Sequence, residues 1–279
     1  MTTKIVTDSL SDITSDVADE LGITVVPLTV LFGRESYLDR VTISTDEFYR
    51  RLITEDTLPT TTQPPPSAFA EVYSKLAEET DEILTITLSS KLSGTYQSAV
   101  SAVEMVQDKC RVEVIDSETA AMALGLVVIA AARASREGAG LDELVDFVHD
   151  SLARCRFMFY VDTLKYLAKG GRIGKAQGLL GSMLSFKPIL TVKEGEIHPV
   201  TRFRSKAAGI EYLYNFVTSF QRVEEIAVEH TTLPEEADRL VDRISGAFPG
   251  ALIRRAVVSP VLGTYGGPGA IAVTVLEAR

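Results

Sequence analysis

The chain has 279 residues, which at about 100–200 residues per domain gives one large or two medium domains. Its formal net charge of −10 argues against broad attachment to nucleic acid or to an anionic membrane, since both need a basic surface. Hydrophobic residues at 46% and charged residues at 24% are globular proportions that exclude disordered and fibrous classes.

Lys4-Ile5-Val6-Thr7 reads as a strand that stops at the turn-prone Asp8-Ser9-Leu10-Ser11-Asp12. Ser15 is placed to cap a short helix over residues 16–21, with Gly22 as its C′ residue. Residues 23–32, β-branched and apolar, read as one strand, and residues 45–52 and 67–79 as helices. A buried-type strand at 83–88 leads into a helix at about 94–107, and a strand at 112–115 ends on Asp116-Ser117. The helix at 119–137 is apolar almost all round, which predicts deep burial, and an amphipathic helix follows at 141–155.

The second half has a different rhythm. A strand at 157–161 precedes a stretch rich in Gly, Lys and Arg up to Lys175. Residues 187–192 and 197–200 flank Lys193-Glu194-Gly195-Glu196, a hairpin signal. A helix at 206–220, a strand at 225–229, a helix at 234–247 and two final strands complete the chain. The expected fold class is α/β, with a parallel-sheet domain at residues 1–155 and an α+β domain at 156–279.

Cys110 and Cys155 are far apart and form no CxxC, so a disulfide framework and a thiolate zinc site are both disfavoured and a reducing cytoplasm is the expected setting. The N-terminus lacks a basic segment followed by an apolar one, and the longest apolar run, 120–132, falls short of the ~20 residues that span a bilayer. Several signatures fail when spelled out. Gly174-Lys175 is followed by Ala176, which supplies no magnesium hydroxyl, and Lys169 occupies the first glycine position of a P-loop. Ser93 is not in a GxSxG elbow, and Gly138-Ala139-Gly140 follows a helix instead of a strand. His149, His198 and His230 are isolated, so neither a metal nor a cofactor is expected.

Hydroxyl-rich turns remain. Ser89-Ser90-Lys91-Leu92-Ser93-Gly94-Thr95 joins a strand to a helix, where free N–H groups favour an anion; Gly94 permits close approach and Ser93 and Thr95 add donors. The same hydroxyls also suit plain helix capping. Pro59-Thr60-Thr61-Thr62-Gln63-Pro64-Pro65-Pro66 reads as a stiff, extended loop that displays threonines, or as a surface linker. Gly263-Thr264-Tyr265-Gly266-Gly267-Pro268-Gly269 reads as a backbone-approach site or a tight turn before the last strand.

In order along the chain, Asp8-Ser9 with Asp12, Thr61-Thr62-Gln63-Pro64, Ser89 to Thr95 and Asp116-Ser117 are followed by Asp162-Thr163-Leu164-Lys165-Tyr166-Leu167, Gly170-Gly171-Arg172-Ile173, Lys187-Pro188-Ile189-Leu190 and Gly267-Pro268-Gly269. Together they resemble the DegV family of bacterial fatty-acid-binding proteins over essentially the whole chain. The resemblance implies a two-domain α/β protein with one long-chain fatty acid, of the palmitate or oleate class, in an apolar tunnel between the domains. Its carboxylate would be held by Thr61 and Ser93, with the Gly94 and Thr95 amides as further donors. It implies no catalysis, and a monomer that presents the lipid to a separate fatty acid kinase subunit making acyl phosphate. The sequence departs from the family at Pro65 and Thr62, more often Ser, and at Tyr265, where the family usually has His; Tyr265 is carried over as a neutral head-group partner.

Burying about fourteen methylenes at ~0.8 kcal/mol each supplies ~11 kcal/mol before association costs, enough for micromolar to nanomolar binding. The basic cluster Lys165, Lys169, Arg172, Lys175, Arg202, Arg204 and Lys206 is the expected kinase-docking surface, with Arg172, Arg202 and Arg204 foremost; a solvated, ion-paired surface is the plainer reading. Two other functions fit parts of the sequence: a sensor of small anions or phosphorylated ligands at the Gly94 helix terminus, and an acyl-ester hydrolase using Ser93.

Overall fold

Strand β1 (Lys4–Asp8) buries Ile5 and Val6 on opposite faces, which requires cover on both sides. A computed structural model describes residues 2–106 and 108–279, without the side chains of 181–185. After β1 come a 3-10 turn (Ser9–Ser11), α1 (Ser15–Leu21), β2 (Ile23–Val26), β3 (Thr29–Phe32), β4 (Glu35–Leu38), α2 (Thr45–Thr54), β5 (Thr60–Thr62) and α3 (Pro66–Leu76). Then follow β6 (Glu82–Thr87), α4 (Thr95–Val103), β7 (Arg111–Asp116), α5 (Met122–Arg136) and α6 (Leu141–Arg154). The remainder is β8 (Cys155–Tyr160), α7 (Lys165–Lys169), a 3-10 segment (Gly174–Ser185), β9 (Lys187–Lys193), β10 (Glu196–Phe203), α8 (Lys206–Thr218), β11 (Val223–His230), α9 (Pro234–Ala247), β12 (Leu252–Val257), α10 (Pro260–Gly266) and β13 (Ile271–Glu277).

Among the described residues the strands form three sheets. The first is parallel, in the order β2-β1-β6-β7, with α3 and α4 on the Val6 face and α5 and α6 on the Ile5 face. The second, β10-β9-β8-β13-β11-β12, is antiparallel except for the β11–β12 pair. Helices α8 and α9 cover one of its faces, and α5 packs toward the other. The architecture is therefore a parallel α/β part joined to an α+β part. Deep burial of α5 is realised because it lies between the two large sheets, with Met122 through Ala132 all buried.

Five local readings change. The single strand expected at 23–32 is two: Pro27 has no N–H to continue the ladder, Leu28 turns its amide onto Ser9, and β3 leaves to pair with β4 and β5 in a small antiparallel sheet. The threonine loop is an edge strand, with Thr61 opposite Val30. Residues 263–266 belong to a helix, α10, instead of a tight turn, and Pro260 at its first position suits that start. Ser15 is the first helical residue and Thr14 takes the N-cap position without a side-chain bond, whereas Gly22 closes the helix at φ 70° as expected. The helix expected at 94–107 ends at Val103; Gln107 lies outside the described residues.

Candidate functional site

The carboxyl ends of β1 and β6, edge strand β5 and helix α10 converge on a cavity of about 370 Å³. Its wall is apolar through Leu10, Leu28, Leu88 and Leu92 from the first part of the chain and Leu167, Ile197 and Val261 from the second. The polar groups are Thr61, Thr62, Gln63, Ser93, Arg172 and Tyr265. A pocket outside the carboxyl ends of parallel strands is where open α/β sheets bind ligands.

Thr61 Oγ1 lies 2.5 Å from Tyr265 Oη, so two hydroxyls 204 positions apart face the cavity as a hydrogen-bonded pair. The Arg172 guanidinium stands 5.3 Å from the Tyr265 ring centroid, a cation–π distance. Arg172 donates from Nε to the Leu92 carbonyl at 3.1 Å and from Nη1 to the Gly170 carbonyl at 2.9 Å, which pins it at the mouth. A second cleft of about 450 Å³ shares Thr61, Arg172 and Tyr265 with the first and opens toward Lys169. These three residues therefore stand between an apolar chamber and a polar entrance.

Ser93 precedes α4. Its Oγ lies 2.9 Å from Thr95 Oγ1 and accepts from the Thr95 amide at 3.4 Å. Thr95 is fully buried and does not line the cavity; it orients Ser93. Gly94 also stands back from the cavity, because the Gln63 side chain lies over it: a Cβ there would sit 2.2 Å from Gln63 Oε1. Gln63 donates to Ser98 Oγ at 3.2 Å. Of the five residues expected at the head group, the fold thus brings Thr61, Ser93 and Tyr265 into the lining of one cavity, with Gly94 and Thr95 set back beside Ser93. Gln63 is a polar lining residue that the motif contained without marking it for a role.

The backbone of the apolar wall is fixed from below. Asp8 accepts from the amides of Leu10 at 2.9 Å and Leu88 at 2.8 Å, and Ser9 Oγ accepts from the Leu28 amide at 3.1 Å while donating to Asp39 at 2.7 Å. Three cavity leucines thus hang on the Asp8-Ser9 pair. Burial pushes Asp8 and Asp39 up to about 7, against the hydrogen bonds that favour their ionised forms. The spacing of Asp8 after an apolar strand marks it as a strand-end acid, but its partner Leu88, 80 residues away, is set by the sheet.

Arg202 and Arg204 sit elsewhere, at the edge of the second sheet. Their guanidinium groups lie 4.6 and 5.8 Å from the Phe186 ring centroid, so both stand on one side of the segment, as their alternation predicts. Lys175 and Lys206 in the same basic cluster are ion-paired with Glu196 and Glu236. Ser93 has Thr95 as its hydroxyl partner, and no histidine lines the cavity among the described residues. No group of three or more His, Cys, Asp or Glu among the described residues is placed to hold a metal ion. No helix of the described residues is long and apolar enough to cross a membrane.

Comparison with known proteins gives one family. The model of the DegV family, described as uncharacterised protein, matches residues 2–278. A DegV domain-containing protein of Caldanaerobacter subterraneus subsp. tengcongensis is 39% identical over 272 residues, 96% of each chain. Among solved structures, a DegV family protein of Thermus thermophilus described by its fatty acid binding superposes with a TM-score of 0.92 at 31% identity, over 100% of both chains. DegV of Bacillus subtilis, described as a fatty acid binding protein, superposes with a TM-score of 0.93 at 30% identity, again over 100% of both.

Proposed function

The chain belongs to the DegV family, and from that membership and the cavity's chemistry we propose that it binds one long-chain fatty acid between its two parts. The observation that carries the reading is a leucine-lined chamber whose lining also holds the hydroxyls of Thr61, Ser93 and Tyr265. The tail takes the wall formed by Leu10, Leu28, Leu88 and Val261. The carboxylate takes the end where Thr61, Ser93 and Tyr265 offer neutral donors, with the Arg172 guanidinium beside the Tyr265 ring as the nearby cation. An unpaired buried carboxylate is costly, so these donors set direction and selectivity while the tail supplies affinity.

In this reading the protein is a cytoplasmic carrier with no catalysis of its own. It works as a monomer until it presents the head group, through the mouth at Arg172, to a fatty acid kinase that forms the acyl phosphate. Arg202 and Arg204, exposed and grouped on Phe186, are the docking residues for that partner. Replacing Arg202 with Glu lowers kinase-coupled turnover and leaves palmitate affinity intact; loss of both marks a folding defect instead.

The direct test is native mass spectrometry of the purified protein followed by lipid extraction. One adduct of fatty-acid mass is expected, and affinity should rise with acyl length. Protein without adduct, and without gain in thermal stability from palmitate or oleate, overturns the reading in favour of an anion sensor.

A further inference from the structure

Below the cavity floor, Asp12 and Glu229 bring two carboxyl groups together with neither exposed to solvent. Asp12 follows the 3-10 turn after β1, and Glu229 lies on β11 of the other large sheet. Each uses one oxygen on a backbone amide: Asp12 Oδ1 accepts from Ser259 at 3.1 Å and Glu229 Oε2 from Met122, at the start of α5, at 3.1 Å. The other two oxygens, Asp12 Oδ2 and Glu229 Oε1, are buried and meet no donor, although the carboxyls lie within hydrogen-bonding reach of each other. Two carboxylate oxygens in that position repel; one proton between them turns repulsion into a hydrogen bond. Ser259 Oγ, also fully buried and without a partner of its own, faces the same carboxyl.

We propose that Asp12 and Glu229 share one tightly held proton, and that this acid pair is the clamp that positions the cavity floor across the two parts of the molecule. The connections run both ways from it. Leu10, two residues before Asp12, lines the cavity on the first part; Val261, two residues after Ser259, lines it on α10. Glu229 Oε1 is the atom that carries the hydrogen, since its other oxygen already accepts from Met122, and Asp12 is the ionised member, because it also stands 3.9 Å from the Arg40 guanidinium.

The groups that face the pair come from every neighbouring element. Asp8 from β1, Asp39 and Arg40 from the loop after β4, and Tyr49 from α2 complete the set. Arg40 is the cation of this set and donates to the Ser9 carbonyl at 2.7 Å, so the acids outnumber their compensation and ionising all of them is costly. Burial and the Asp12 charge hold Glu229 well above the ordinary carboxylate range, in the direction that geometry requires. Non-glycine residues adopt positive φ at Asp12 (52°), Arg40 (57°) and Ala121 (61°), conformations that cost energy and border the pair.

The test is the pH dependence of urea unfolding for the wild type and for Glu229→Gln, between about pH 8 and 9.5, where Asp8 and Asp39 have released their protons. A proton kept by the folded state and lost on unfolding weakens the folding equilibrium about tenfold per pH unit. Glu229→Gln, which keeps a hydrogen-bond donor and cannot ionise, should remove that tenfold slope; should it not fold, Asp12→Asn, which takes away the charge beside Glu229, should make the slope shallower than in the wild type. In the wild type, the infrared carboxylic-acid stretch should persist at about pH 8.5 and vanish in Glu229→Gln. Parallel slopes in wild type and variant, or no protonated carboxyl in that range, overturn the proposal. Palmitate affinity supplies the positioning readout, and this arm alone rests on the lipid-binding reading. Wild-type affinity should fall on the alkaline side, and Glu229→Gln should abolish that fall. A wild type that takes no palmitate defeats the lipid reading and leaves the unfolding slope to decide the clamp.

Discussion

Thr61 and Tyr265 meet hydroxyl to hydroxyl at 2.5 Å, one on an edge strand of the smallest sheet and the other on a short helix near the end of the chain. Neither position is fixed by its own neighbours. Tyr265→Phe removes the phenolic hydroxyl and leaves the ring against Gly170 and Arg172. Palmitate should bind roughly 3- to 10-fold more weakly, the worth of one hydrogen bond, with the unfolding midpoint nearly unchanged. Isothermal titration checks it; unaltered affinity would place the carboxylate away from Tyr265.

Gly94→Ala puts a methyl where Gln63 lies. The side chain must leave its seat, and its bond to Ser98 goes with it. A stability loss of about 1–3 kcal/mol is expected from overpacking, read by chemical unfolding, together with weaker palmitate binding because Ser93 shifts with the turn.

Leu28→Trp fills part of the chamber from a position whose backbone is held by Ser9. Losing room for about two methylenes should weaken palmitate at least tenfold while shorter acids lose less, so the ratio of affinities for decanoate and palmitate inverts toward the shorter chain. An unchanged ratio would move the tail away from Leu28.

The acids under the floor set the pH profile. Asp8 and Asp39 titrate near about 4 in an unfolded chain and about 7 in the folded one. The folded state therefore binds their protons more tightly, so stability is full below about 4 and falls as pH rises through 7. The thermal midpoint should be about 5 °C or more higher at pH 5 than at pH 8, measured calorimetrically. Asp8→Asn should flatten that fall. It also costs about 1–3 kcal/mol, because an amide has one acceptor oxygen for the two amides of Leu10 and Leu88.

How much of this was legible in the sequence depends on the range of the cause. The parallel strands, the buried α5 and the hydroxyl turn before α4 follow from local period and turn chemistry, and the structure has them where the pattern put them. The break at Pro27 was readable as a missing donor, yet the destination of β3 was not, since β5 arrives from thirty residues away. Helix α10 is written in Gly and Pro and is helical because of what it rests on: a Cβ at Gly263 would stand 2.5 Å from Tyr49 Oη and 2.8 Å from Phe48 Cε1. Only a side-chain-free residue lets it lie that close to α2. Gln63 over Gly94 is hidden for the same reason, a contact between segments that carry no complementary pattern.

The position of α5 between the two large sheets bears on how the molecule opens. Its residues belong to the cores of both parts at once, with Leu124 and Val128 as inaccessible as any side chain in the chain. Parting the halves like a book would tear a shared spine and expose it to water, at a cost comparable to unfolding either half. Traffic into the chamber must therefore pass through small movements at its mouth. Amide exchange would register this as β1 and β13 losing protection together and last, while the backbone around Gly170 and Arg172 exchanges on its own.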